Sequence, residues 1–477
     1  CGCGSRVRFE CPDNAPLCDV VAIVEHHPRA SDIAISRVAL YQAPEVVLWD
    51  DGLAVEPVLP VVAGRVATVR VFVDPRSGWQ AREIIARFLF LGEQGDLLGG
   101  AEATMSPSSA STQEDLTSTA NILIPGAYVP DGTVRWTVEL LETGSRVSGD
   151  TSEAFIDDGT ITLVDNGGPL RLYLVPIAYN ADGSGRLPDV SEPALSNLRA
   201  HMGQMYPVRS VEIEVGEVLE WADPALANTQ GWSQLVEAVG GLRGARDLDP
   251  DVFIYGLFTP HESKEAYCDA GCVLGLATPM SGAEDAQARA AIGVDFAGTD
   301  QEFTTSGIMV HELGHTHGRY HAPCGGAGGP DPEYPHVEGV IGVWAYDGYR
   351  DALWSPTGAH DVMSYCFPQW VSDYSWTEFH RRKLEIHELY TSTERVAKRS
   401  WVPIWLHSDG SMSQGETRWL SQAPWGELTE VAVWDGTQTV QLRGILSSFE
   451  HARGGVMYVE RAPTMPLGGS HWRLVGR

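Results

Sequence analysis

The eleven residues from His311 to His321, read as H-E-L-G-H-T-H-G-R-Y-H, limit what this chain can fold into more than any other stretch. Residues four apart on a helix share a face, so His311 and His315 can offer two imidazole nitrogens to one metal ion, with Glu312 beside them. His321 lies six residues past His315, and a straight helix would turn it away from that face. Gly318 supplies the break, because a residue without a Cβ can take a positive φ, end the helix and swing His321 back. Three neutral nitrogen ligands with a fourth position left for water describe a catalytic zinc site rather than a closed structural one. Glu312 is then the general base. The plain alternative is a His-rich helix end that holds no metal.

About forty residues later, Asp361-Val362-Met363-Ser364-Tyr365 places a Met two before a Tyr, the turn that accompanies the long zinc motif. Together these residues resemble a metzincin metallopeptidase. The resemblance implies Zn2+ as cofactor, held by His311, His315 and His321, with Glu312 as general base and Tyr365 as a second catalytic group. In the astacin and serralysin branches the matching tyrosine binds zinc or stabilises the oxyanion. It further implies Gly318 as the turn glycine and Met363 as the apolar floor beneath the metal. The matched residues are 311–321 and 361–365; the domain around them is inferred from the order of its elements. The implied reaction is hydrolysis of peptide bonds by a zinc-activated water whose proton Glu312 accepts.

The rest of the chain reads as several domains. Residues 1–32 form a Cys-rich N-terminal segment. Over 33–166 the pattern is all-β: Val69, Val71 and Val73 alternate with polar neighbours, Val134, Trp136, Val138 and Leu140 repeat the period, and Pro130-Asp131-Gly132 is one of several turn signals. An immunoglobulin-like β-sandwich fits, serving as a spacer or for adhesion. The peptidase domain is expected over 167–394. There, a strand at Leu172 to Ile177, a helix capped by Ser191, a strand at Val211 to Val215, a helix from Trp232 and a strand at Val252 to Phe258 spell an α/β layer. Thr304, Thr305 or Ser306 can cap the motif helix, and Val273 to Ala277 is the candidate edge strand for an extended peptide. Ser375-Trp376-Thr377-Glu378 reads as a capping box opening a last helix. Residues 395–477 return to β. Their six tryptophans, Trp401, Trp405, Trp419, Trp425, Trp434 and Trp472, form an aromatic core or a sugar-stacking surface. The fold class expected is therefore multidomain, an α/β metzincin-like catalytic domain flanked by N-terminal and C-terminal β-sandwich-like domains.

Eight cysteines place the protein. Cys1, Cys3, Cys11 and Cys18 crowd the N-terminus; Cys268 with Cys272, and Cys324 with Cys366, read as disulfides, which belong outside the cytoplasm. A mature Cys1 followed by Gly2 and a polar stretch is similar to a bacterial lipoprotein after signal removal, and a lipid there would tether the chain to a membrane; the other reading is a trimmed chain end. No run of about eighteen apolar residues spans a bilayer. A net charge of −30, from 63 acidic and 33 basic residues, excludes nucleic acid as an expected partner, since phosphate binding relies on clustered Lys and Arg. The partner expected is a protein or glycoprotein substrate, met by a monomer. A reading from another class makes the chain a surface-anchored binding or adhesion protein on an inactive peptidase scaffold. His317 faces away from the ligand pair, His360 beside the Met-turn is a structural or supporting residue, and Gly325 to Gly329 reads as a flexible loop.

Overall fold

The computed structural model describes residues 27–144, 149–225, 227–269, 272–296, 305–392, 396–434 and 439–460. Cys1, Cys3, Cys11, Cys18, Thr304 and Trp472 lie outside them. The chain is multidomain and mostly β, dividing into two compact units. In chain order the first strands are β1 (Ile33–Tyr41), β2 (Glu45–Asp50), β3 (Leu53–Ala54), β4 (Val61–Val62), β5 (Ala67–Pro75), β6 (Ile84–Leu91), β7 (Leu97–Met105), β8 (Ala120–Ile124), β9 (Gly132–Glu142) and β10 (Phe155–Val164).

The first unit has one sheet in the order β3-β2-β1-β5-β8 and another in the order β10-β9-β6-β7. This two-sheet arrangement is consistent with a β-sandwich. Val69, Val71 and Val73 on β5 are fully buried, as the alternation predicts, yet Arg70 between them is buried too. Its guanidinium is satisfied where it lies, donating to Gln113 O at 3.1 Å and Thr119 Oγ1 at 3.3 Å and resting on the Phe72 ring. Trp136 stacks on Phe88 with centroids 5.9 Å apart. Gly159 makes room for that indole, since a Cβ there would lie 1.8 Å from Trp136 Cε2.

The second unit holds residues 41–46, 58–66 and 162 onward. It continues with β11 (Leu170–Tyr179), α1 (Glu192–Met205), β12 (Val211–Val215), β13 (Leu219–Trp221), α2 (Trp232–Ala245), β14 (Phe253–Phe258), α3 (Lys264–Tyr267), β15 (Gly275–Ala277), β16 (Ala290–Val294) and α4 (Thr305–Thr316). The sheet order is β12-β11-β14-β16-β15, parallel throughout except that β15 runs antiparallel to β16. Both faces are covered. Leu170, Leu172 and Leu174 pack with α1 and α4, whereas Tyr173, Val175 and Ile177 pack with α2, as a period of two requires. The expected apolar stripes are buried: Leu195, Leu198, Met202 and Met205 on α1, and Trp232, Leu235, Val236 and Val239 on α2.

Two short ladders follow, β17 (Ala345–Asp347) with β18 (Ala352–Trp354) and β19 (His360–Asp361) with β20 (Gln369–Trp370), before helix α5 (Asp373–Thr391). The helix starts earlier than the Ser375 capping box suggests. Ser372 is its N-cap, accepting from Ser375 N–H at 3.0 Å, and Ser375 sits inside the first turn with its hydroxyl on Asp361. The final sheet joins β21 (Arg399–Leu406), β22 (Met412–Gln414), β23 (Arg418–Leu420), β24 (Glu427–Trp434), β25 (Thr439–Ser448) and β26 (Gly455–Glu460) in the order β22-β21-β26-β25-β24, with β23 on β21. A boundary at 394/395 separates two sheets but not two compact units, because Trp401, Trp405, Leu420 and Tyr458 share one apolar cluster with α2. Trp419 and Trp425 are instead 59% and 38% exposed, so these four tryptophans, the ones whose side chains are described, divide between core and surface. No helix among the described residues is long and apolar enough to cross a membrane.

Candidate metal centre

The helix α4 carries His311, Glu312 and His315 and stops at Thr316. Gly318 has φ +82°, Gly318 N–H bonds His315 O at 2.8 Å, and Arg319 N–H reaches back to Gly314 O at 3.0 Å. That pair of bonds is a Schellman ending, with glycine at the left-handed position. It turns the chain so that the His321 ring lies 5.3 Å from His311 and 4.8 Å from His315, centroid to centroid.

The tautomers follow from the neighbours. His311 Nδ1 faces Val362 O at 2.8 Å, His315 Nδ1 faces Arg319 O at 2.7 Å, and His321 Nδ1 faces Gly328 O at 2.6 Å. A carbonyl oxygen can only accept, so each Nδ1 carries the proton and each Nε2 is a lone pair. Among the described residues His311 Nε2 and His321 Nε2 are buried without a hydrogen-bond partner, and so is Glu312 Oε2. Buried lone pairs left unmatched and aimed together are what a cation would satisfy. Burial, with His321 alongside, pushes His311 down to about 3, and burial lowers His315 and His321 as well. The imidazoles are therefore neutral, the form that binds metal. Burial raises the Glu312 carboxyl well above its usual range, opposed by the backbone amide of Ala277 on β15.

The turn at 361–365 meets this cluster through Val362 O on His311 Nδ1. Met363 is buried against α4, where a Cβ on Gly314 would lie 2.3 Å from the Met363 sulfur. Asp361 is fully buried and accepts from Met363 N–H at 2.8 Å, Ser372 N–H at 3.0 Å and Ser375 Oγ at 3.0 Å, so one carboxylate joins the turn to the start of α5. The Cys324–Cys366 and Cys268–Cys272 disulfides are both formed. The first ties the segment after His321 to the Met-turn, next to Tyr365 N–H on Cys324 O and Ala322 N–H on Met363 O. Cys324, Cys366 and His360 lie within ligand distance of one another, but the bonded sulfurs take no metal. His317 donates to Leu313 O and stacks flat on Phe253 at 4.6 Å, a core residue as its helical position implies. Gly325 to Gly329 does more than connect, since Gly328 supplies the carbonyl that orients His321.

One member of the site was not expected. His451, between β25 and β26, brings Nε2 to 3.0 Å from His315 Nε2 and 3.5 Å from Glu312 Oε1, while its Nδ1 meets Tyr365 Oη at 2.5 Å. The four imidazoles His311, His315, His321 and His451 can together hold a metal ion. Tyr365, 40% exposed, meets the cluster with its ring 5.0 Å from that of His321 and with its hydroxyl on His451. No periodicity links position 451 to the motif; the only signal is a histidine in a Gly-containing hairpin turn.

A cleft of about 490 Å³ opens over these groups, lined by Val273, Leu274, Gly275, Glu312, Tyr365 and Phe367 among others. Strand β15 lies at the end of its sheet, and Gly275 is backed by Glu312, whose Cγ would be 2.4 Å from a Cβ there.

No family model matches the chain, and no curated protein does. Solved structures with a weak likeness include a putative beta-galactosidase from Bacteroides fragilis, at 10% identity and TM-score 0.15 over 50% of this chain and 35% of that one. A beta-glucuronidase from glycoside hydrolase family 2 matches at 10% identity and TM-score 0.15 over 84% of this chain and 49% of that one. The chain thus spans about a third and about half of the lengths of these two proteins, and superpositions this poor carry no argument about fold or chemistry.

Proposed function

We propose that this chain is an extracytoplasmic zinc-dependent endopeptidase of metzincin type, its catalytic region preceded by an immunoglobulin-like sandwich. One observation carries the reading: three imidazoles, each giving its Nδ1–H to a backbone carbonyl, turn three Nε2 lone pairs to one point beside Glu312. An all-imidazole set suits zinc, and two disulfides suit an oxidising compartment. A zinc ion held by His311, His315 and His321 would supply Lewis-acid charge that lowers the pKa of water and polarises a carbonyl, and the same charge would keep Glu312 ionised.

The chain's own groups do the rest. Glu312, oriented by the Ala277 amide, takes the proton of the attacking water and hands it to the leaving amine. An extended substrate pairs along β15, where no partner strand lies on the outer edge among the described residues. Tyr365 Oη donates to the oxyanion. The binding-protein alternative has to account for an intact base beside an intact ligand set. Substrates are proteins, with glycoproteins as a class to be compared.

The test is digestion of an unstructured protein and of a heavily O-glycosylated one, read by mass spectrometry alongside metal analysis. Glu312→Ala should keep one zinc per chain and lose about 10²–10⁴-fold in rate, and Tyr365→Phe should keep fold and metal while losing activity. A wild type that takes up no zinc, or a Glu312→Ala variant that cuts equally well, sinks the proposal.

A further inference from the structure

His451 comes from the turn closing the β25–β26 hairpin, in which Phe449 N–H bonds Gly454 O at 3.2 Å, and its side chain is 7% exposed. Its placement poses a proton-counting problem. His315 Nε2 must be a lone pair, because Nδ1–H is committed to Arg319 O. A 3.0 Å approach of His451 Nε2 to that lone pair has two explanations. Either His451 donates a proton, or both nitrogens point lone pairs at a shared cation. The first leaves the Nε2 lone pairs of His311 and His321 buried, unmatched and converging. The second satisfies all four nitrogens at once and lets His451 Nδ1–H donate to Tyr365 Oη, the outward hydrogen bond that metal-bound imidazoles make.

The unmatched lone pairs favour the second, and the distances allow it. Tetrahedral ligands at about 2.0 Å from zinc lie about 3.3 Å from one another, and the four donor atoms here all fall within 4.8 Å of one another, with His315 Nε2 and His451 Nε2 3.0 Å apart. The His451 ring is 5.3, 5.0 and 4.7 Å from those of His311, His315 and His321, comparable to the spacings within the motif itself.

We propose that His451 is a fourth nitrogen ligand of the metal centre, so that the β25–β26 turn fills the coordination position a reacting water needs. The inference rests on the zinc reading of the site. Four protein ligands make a closed centre, and hydrolysis then requires the hairpin to withdraw its imidazole. The final sheet is thereby a latch on the site and not only a module appended to it.

The test uses the full chain loaded with Co2+ in place of zinc, with azide as the probe for an open coordination position. Wild type should give a tetrahedral spectrum that azide leaves unchanged. His451→Ala, and His451→Gln should the alanine variant fail to fold, should still bind one metal per chain, respond to azide, and release zinc to a chelator at least tenfold faster. Peptide hydrolysis by the variant should exceed that of wild type at least tenfold. A wild-type spectrum that azide shifts as readily as the variant's overturns the assignment without recourse to any variant, and equal hydrolysis rates overturn the latch. A wild type that binds no metal instead removes the zinc reading beneath the proposal, and is told apart by metal content alone.

Discussion

Replacing Asp361 with alanine probes the link between the Met-turn and the metal cluster. The carboxylate holds three donors in a fully buried place: Met363 N–H, Ser372 N–H and the Ser375 hydroxyl. The Ser375 hydroxyl can turn to a helix carbonyl, but two backbone amides are left without an acceptor, each costing about 1–3 kcal/mol. With some relief from water entering the vacated space, a net loss of about 3 kcal/mol is expected at this corner. The proper readout is local, because a chain of two units need not unfold in one step. Hydrogen exchange at the Met363 and Ser372 amides should accelerate by roughly a hundredfold, the equivalent of that energy. Asp361→Asn, which keeps one acceptor oxygen, should give an intermediate effect. Val362 O orients His311, so metal affinity should fall by about 10–100-fold in the alanine variant. Exchange within about threefold of wild type, with chelator release unchanged, would refute the view that Asp361 supports the cluster.

Gly318→Ala should lower stability by about 1–3 kcal/mol, because the residue sits at φ +82° and a Cβ would lie 2.5 Å from Arg382 Nη2; a melting temperature equal to wild type would count against the Schellman ending as the element that returns His321. Replacing Cys324 and Cys366 together by serine opens a loop of sequence separation 42, worth about 4 kcal/mol in chain entropy, which melting curves with and without reductant measure. Trp405→Ala should cost about 3–5 kcal/mol as a buried core truncation, whereas exposed Trp419→Ala should stay within about 0.5 kcal/mol; a large loss at Trp419 would place it in a contact its exposure does not suggest.

The helix holding His311 and His315, the glycine that ends it and the strands and helices before it were legible because each depends on neighbours a few residues away. The period of two in Leu170, Leu172 and Leu174, and that of a helix in Leu195, Leu198 and Met202, are local facts. The two disulfides were readable from the odd company of cysteines beside a site that had no need of them. What stayed hidden depends on long-range closure. His451 meets a residue 136 positions away through a sheet whose docking no motif encodes. Arg70 and Arg319 look like surface charges in sequence, yet the first is buried among carbonyls and the second pairs with Asp331 at 2.6 Å and Glu378 at 3.1 Å. The start of α5 slipped by one turn because Ser372 and Ser375 are both credible caps, and only Asp361, from another strand, decides between them.

The three carbonyls that fix the imidazole tautomers belong to Val362, Arg319 and Gly328, and the main chain makes every one of those contacts. The orienting atom at each position is a carbonyl oxygen, which every residue carries. Ligand geometry at this centre is thus set by the path of the chain at residues 319, 328 and 362, separately from what the side chains there do, Arg319 in its buried pairs with Asp331 and Glu378 and Val362 in the core. A relative could share every one of these orienting contacts and still match this chain at little beyond the histidines, the glutamate and the turn glycine.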